Sequence, residues 1–300
     1  MIIRMVLLVL FSTFICSGLP GQNITLGILE DVPGIYADQP SSSMVRVVFR
    51  KNGDSWEAYP NDCRDQSCLR TITDKYPREI AWTIAFDGKR LTQLTGQTPK
   101  EFKYYSGVGL QEILNKANMP RIGQKSSAYS GFLETPVFRP LVAISQPYFS
   151  DEESWKPSQL TGNLAILLRR SFRTKFPKMC RSSKKDETQL EPFLYSDEDI
   201  KVVKSYASKK GWTIARLHLE GAVDCNDTEA GFEIDDPWFV VDSRRSVQYL
   251  DEGMWLVDAG DYDNDDKSEL IFSIDRYNRG GYELFYDDFK KRAIFKFSYH

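Results

Sequence analysis

Apolar and polar residues alternate with period two along most of this chain, and turn residues separate the alternating runs. This pattern predicts strands joined as hairpins. Met44 to Arg50 leads through Asn52-Gly53 to Trp56-Glu57-Ala58-Tyr59, and Asn-Gly between such runs is a strong hairpin signal. Glu79 to Phe86, Asp87-Gly88 and Lys89 to Leu94 repeat the arrangement. Asp199 to Tyr206 and Trp212 to Glu220 flank Lys209-Lys210-Gly211, and Glu269 to Asp275 and Tyr282 to Tyr286 flank Arg279-Gly280-Gly281. A last strand is predicted over Arg292 to Tyr299, and another over Trp238 to Val241 behind the turn Asp235-Asp236-Pro237. Helical spacing occurs twice. Leu164, Leu167, Leu168 and Phe172 predict a helix over Leu160 to Phe172, stopped before Pro177, and Val108 to Ala117 is a shorter candidate. The polar stretch Arg181 to Glu187 reads as a surface loop.

These elements predict a mostly-β fold with short helical insertions. The apolar-strand, Gly-turn, strand units recur at irregular spacing, so they suggest repetition without a measured period. A small β-propeller of about five blades, each a four-stranded antiparallel sheet of roughly 50 residues, fits this organisation. The early strand Ile24 to Glu30 would pair with the last blade and close the ring. A β-sandwich with a helical insertion is the alternative. An aromatic share of 13% favours strands in either case.

Chemistry concentrates in one loop, Gly260-Asp261-Tyr262-Asp263-Asn264-Asp265-Asp266-Lys267-Ser268-Glu269-Leu270. Counting from Asp261, carboxylates fall at positions 1, 3, 5 and 9. Alternate residues of a tight loop point inward, so Asp261, Asp263 and Asp265 can converge on a hard, oxygen-seeking cation such as Ca²⁺. The Lys267 carbonyl would add a backbone ligand and Glu269 would close the site. An EF-hand needs a bidentate Glu at position 12; here that position is Phe272, inside the apolar run Leu270-Ile271-Phe272. The loop should therefore run from strand to strand.

Residues 255–272 resemble the calcium loop of FG-GAP (integrin-α-like) repeats, which reads G-D-x-[DN]-x-D-G-x-x-[DE]-L before an apolar strand. The resemblance implies a structural Ca²⁺ site and a propeller blade over about 250–300. Asp266 stands where the family has Gly, at a position that needs a left-handed backbone. The motif occurs once.

The N-terminus combines Arg4, about a dozen apolar residues from Met5 to Cys16, and small residues beyond, which predicts a secretory signal peptide over 1–18. The run is too short to span a membrane, which takes about 20 residues. A single β-rich domain over 19–300 would remain, exported to an extracellular or periplasmic space. Four cysteines stay in that domain, and an even number in an exported chain suggests disulfides with three possible pairings. The simplest is Cys63–Cys68 closing a small loop and Cys180–Cys225 tying distant segments. Zinc is disfavoured, because zinc sites favour shorter spacings and His partners, and no His lies near Cys63 and Cys68. Asn23-Ile24-Thr25 and Asn226-Asp227-Thr228 are glycosylation sequons in a eukaryotic host.

With 39 basic and 42 acidic residues, the chain lacks the electrostatic footprint of a nucleic-acid binder. Its two histidines, His218 and His300, do not sit in any nucleophile–base pattern, and no G-x-S-x-G elbow or phosphate-binding glycine loop is present. Together these features predict a secreted, non-catalytic binding or scaffold protein presenting loops to a protein or glycan. The alternative is a carbohydrate-active hydrolase or lyase using paired carboxylates, with Asp235 and Asp236 as the first pair to test.

Overall fold

The computed structural model describes residues 23–32, 42–63, 65–129, 135–183, 189–225, 234–276 and 279–298. The expected signal peptide, the second sequon, His300 and most of the polar 181–187 stretch lie outside them.

The fold is mostly β, and its first half is a closed barrel. Strands β1 (Thr25–Val32), β2 (Ser42–Asn52), β3 (Ser55–Ala58), β4 (Glu79–Phe86), β5 (Lys89–Gln97), β6 (Leu110–Ile113) and β7 (Leu141–Ile144) form one sheet in the order β1-β7-β4-β5-β6-β2-β3. Strand β1 also pairs with β2, so six strands close on themselves and β3 extends from the rim. Short helix α1 (Gln66–Thr73) caps the same core, with Asp65 accepting from the Cys68 amide at its N-terminus.

Hairpin signals translate directly into pairing. The β4–β5 turn is Asp87-Gly88, with φ of 52° and 71°, the two positive values a two-residue type I′ turn requires. Inside the barrel lies Trp82, fully buried, its indole Nε1 donating to Gln111 Oε1 at 2.8 Å. Two glycines make room for it. A Cβ on Gly27 would lie 3.0 Å from the ring, and one on Gly96 would lie 2.6 Å from Nε1.

The second half stacks in layers. Strands β15 (Met254–Gly260), β16 (Glu269–Arg276), β17 (Arg279–Tyr286) and β18 (Lys291–Ser298) form a four-stranded antiparallel meander. Strands β8 (Lys156–Pro157), β11 (Ile200–Ala207), β12 (Thr213–Leu219), β13 (Trp238–Val241) and β14 (Val247–Tyr249) form a second sheet, β14-β13-β12-β11-β8. Alternate meander residues face opposite ways: Ile271, Tyr282 and Leu284 join the barrel core, whereas Leu270, Phe272 and Phe285 pack on Trp238 and Val240. The second sheet's other face, Phe239 and Val241, is covered by helix α2 (Gly162–Lys175) through Leu168 and Phe172. Burial on both faces explains why Leu270-Ile271-Phe272 and Trp238-Phe239-Val240-Val241 are unbroken apolar runs. A short ribbon of β9 (Met179–Ser182) and β10 (Leu190–Phe193) completes the described sheets.

Five expectations need correction. Arg279-Gly280-Gly281, expected as a turn, begins strand β17 and pairs with β16 and β18, and Arg181 and Ser182, expected in a surface loop, end strand β9. The pairing is a barrel plus stacked sheets and does not show five radial blades. Strand β1 closes the barrel against β2 and β7 instead of pairing with the last strands. The short helix expected over Val108 to Ala117 contains strand β6, because Gly109 (φ 82°) turns the chain and its carbonyl accepts from Val47 N at 2.9 Å, placing Leu110–Ile113 between β2 and β5. The competing pairing with two strand edges outweighs a weak helical period.

The disulfides are Cys63–Cys68 and Cys180–Cys225, with a backbone bridge joining Cys180 to Val223 beside the second. The material is therefore expected to show no alkylatable thiol at these four positions in non-reducing mass spectrometry. Reduction should lower stability by about 2–4 kcal/mol, chiefly through the larger loop that Cys180–Cys225 closes. Four reactive thiols in oxidised material would contradict both bridges.

Candidate metal centre

The acidic loop connects β15 to β16, as the strand-to-strand reading requires. Its entry is set by Gly260, where a Cβ would sit 2.7 Å from the ring of Tyr262. Tyr262 is fully buried and turns inward, its carbonyl accepting from Gln146 Nε2 at 2.6 Å. Asp261 pairs through its backbone with Ser150 in both directions, at 2.9 and 3.1 Å. Asn264 and Asp266 have φ of 59° and 68°, so Asp266 adopts the left-handed conformation expected at that position.

Three of the five predicted ligands come together. One carboxylate oxygen each from Asp261, Asp263 and Asp265 lies within 4.8 Å of the others. Burial falls along the set. Asp261 is 2% exposed, the Asp263 side chain 3%, and Asp265 is exposed. Asp261 is held rigidly, its oxygens accepting from the Asp265 and Asp266 amides at 3.0 Å each and from Ser150 Oγ at 2.8 Å. Asp265 accepts from Lys267 N at 3.0 Å. Asp263 differs. Its Oδ2 is ion-paired to Lys51 Nζ, and its Oδ1 is buried with no hydrogen-bond partner among the described residues.

Glu269, only 1% exposed, accepts from the Tyr262 amide at 2.8 Å. Burial, aided by the Asp263 carboxylate, holds its carboxyl well above the ordinary range; burial likewise raises Asp263 against the opposing effect of Lys51. Both shifts share one leading cause, the removal of these carboxylates from water, with the neighbouring carboxylates adding to it. The Lys267 side chain turns away to Asp287 and Asp288, at 2.6 and 3.5 Å, so only its carbonyl is left for the ligand role the sequence assigns.

The donor set fits a hard divalent cation: it is all oxygen, and carboxylates that accept amides retain lone pairs for an ion. Residues that sequence reading missed are Lys51, Gln146 and Ser150. All three come from the first half of the chain, and none sits in a local pattern that points to the loop.

The other acidic candidates behave differently. Asp236 is occupied by Arg216 and by His218 Nδ1, each at 2.7 Å, so His218 is paired on the wetter face of β12. Burial raises the Asp235 carboxyl, opposed by Arg276. Among the described residues no helix is long and apolar enough to cross a membrane.

Fold and site together define a mostly-β, doubly disulfide-bonded protein with an acidic strand-to-strand loop able to hold a metal ion. No family model matches the chain, and no curated protein or solved structure does either.

Proposed function

We propose that the loop is a structural Ca²⁺ site of the FG-GAP type, in a secreted, non-catalytic binding or scaffold protein. Asp261, Asp263, Asp265 and Glu269, with the Lys267 carbonyl, would hold the ion and stiffen the β15–β16 connection. The observation that carries this reading is the buried, unpartnered Asp263 Oδ1 beside two further carboxylates. Burying a carboxylate oxygen without a partner is costly, and a bound cation removes that cost. Export agrees with two disulfides and with the leader-like N-terminus. The partner is a protein or glycan reached through the loops.

Extracellular modules bind Ca²⁺ with Kd of about 10⁻⁴–10⁻³ M. Linkage then gives about 1.4–2.7 kcal/mol at roughly 10 mM Ca²⁺. The expected result is a Tm several degrees higher in Ca²⁺ than in chelator, a smaller effect of Mg²⁺, and no effect on Asp263→Ala. Coincident melting curves would remove the metal site.

The hydrolase or lyase reading draws on the raised Asp235 carboxyl beside the salt-bridged Asp236, two acids in contrasting surroundings. Screens on polysaccharides are expected to be blank. Turnover lost in Asp235→Asn would replace the scaffold reading with the enzymatic one.

A further inference from the structure

The loop's charge balance depends on a residue from the barrel. Lys51 belongs to β2, two residues before the Gly53-Asp54 turn, and lies 212 positions from its partner Asp263. Its backbone amide is fixed to Ile24 O at 2.8 Å, and its ammonium sits 5.3 Å from the centre of the Trp56 ring. The side chain is only 15% exposed. Of the three clustered carboxylates, Asp263 alone receives no backbone amide or hydroxyl among the described contacts; Lys51 is its one partner.

Resting on the metal-site reading above, we propose that Lys51 is a tethered counter-cation that the metal displaces. In the metal-free protein the ammonium supplies part of the charge the ion would bring. When a divalent ion takes Asp263, two cations would share one buried carboxylate, and their repulsion at a few ångströms in a low-dielectric setting is strong. Asp261 is held by two amides and the Ser150 hydroxyl, and the lysine is free to move because its flexible four-carbon stem can reorient. It has somewhere to go. An open cleft of about 580 Å³ adjoins the loop, lined by Lys51, Asp54, Asp263, Asp265, Asp287 and Lys291 among others. Asp54 would meet the released ammonium there, since Asp287 already pairs with Lys267 and Lys291. Ion occupancy would thus be read out as exposure of a lysine on the barrel rim, and the loop and the barrel would be coupled reciprocally.

Two measurements on the full chain test this. The first is Ca²⁺ affinity of wild type, Lys51→Met and the control Lys291→Met, by titration calorimetry. Lys51→Met should bind at least about fivefold more tightly, a typical coupling factor, and melt lower than wild type in chelator because Asp263 loses its partner. Lys291→Met should match wild type within about twofold. The second needs no variant: acylation of wild-type Lys51, followed by mass spectrometry, should be slow in chelator and at least several-fold faster in saturating Ca²⁺. Equal or weaker Ca²⁺ binding by Lys51→Met, or unchanged Lys51 acylation in protein that does bind Ca²⁺, overturns the displacement while leaving the metal site intact. Absence of Ca²⁺ binding in wild type and Lys51→Met alike overturns both readings, and is recognised by coincident melting curves in chelator and Ca²⁺. Were Lys51→Met to misfold, the acylation result alone would decide.

Discussion

Trp82→Ala is expected to destabilise the protein by about 3–5 kcal/mol, the usual range for removing a buried aromatic ring. The indole crosses the barrel interior between Gly27 and Gly96, so neighbours on both sides are backbone or rigid strand and cannot collapse into the space. A second contribution comes from Gln111. It is fully buried, and its Nε2 donates to Pro77 O and Thr98 Oγ1 at 3.1 and 3.0 Å, so the amide cannot turn to find another donor for Oε1. Leaving that oxygen unpaired adds about 1–3 kcal/mol. Since domains of this kind are stable by about 5–15 kcal/mol, much of the native state's margin is at stake. Urea unfolding checks it, and Trp82→Phe, which keeps most of the ring but not the N–H, should fall between the two. A loss below about 1 kcal/mol for Trp82→Ala would mean that the barrel is not packed around this side chain.

Asp258→Asn should stabilise the protein at neutral and alkaline pH. Asp258 lies in β15 at a bulge, buried where the meander meets the barrel, and both its oxygens face the Asp87 amide at 3.1 and 3.3 Å. Burial pushes its carboxyl up to about 7; the Ala259 and Asp87 amides and Arg139 oppose the shift, while the Asp151 carboxylate adds to it. The unfolded value is about 3.9. A group raised in the folded state contributes stability that is complete below about pH 3.9 and is lost as pH rises towards 7. Three units correspond to roughly 4 kcal/mol at most. Asn can still accept the Asp87 amide and carries no charge. The variant should therefore match wild type near pH 4 and exceed it by up to about 4 kcal/mol at pH 8. Denaturant midpoints across that range test the sign; parallel profiles would show that Asp258 titrates as an ordinary surface carboxylate.

Features legible in the sequence share one property: the interactions that create them are local. The Asp87-Gly88 turn needs two left-handed residues and has them. The helix over 160–172 appears as Gly162–Lys175 because Leu168 and Phe172 recur at its own period. Alternating Asp261, Asp263 and Asp265 converge because a tight loop forces them to, and Cys63–Cys68 closes a loop over a sequence separation of 5.

Architecture was not legible in this way. Strand β1 has two usable edges, and nothing in Ile24 to Glu30 says whether they meet β2 and β7 or the final strands. That choice depends on how the whole sheet curls and on the space that Gly27 leaves for Trp82. Residues 108–117 carry a weak helical period that the open edges of β2 and β5 override.

The site divides along the same line. Its carboxylates could be named from their spacing, since each is within a few residues of the next. The burial of Glu269, the orphaned Asp263 Oδ1 and the Lys51 ion pair arise only when the meander docks on the barrel. Sequence alone determined which groups can bind a cation. The tertiary structure decided how strongly they need one, because desolvation and the approach of a lysine 212 residues away are properties of packing and not of spacing.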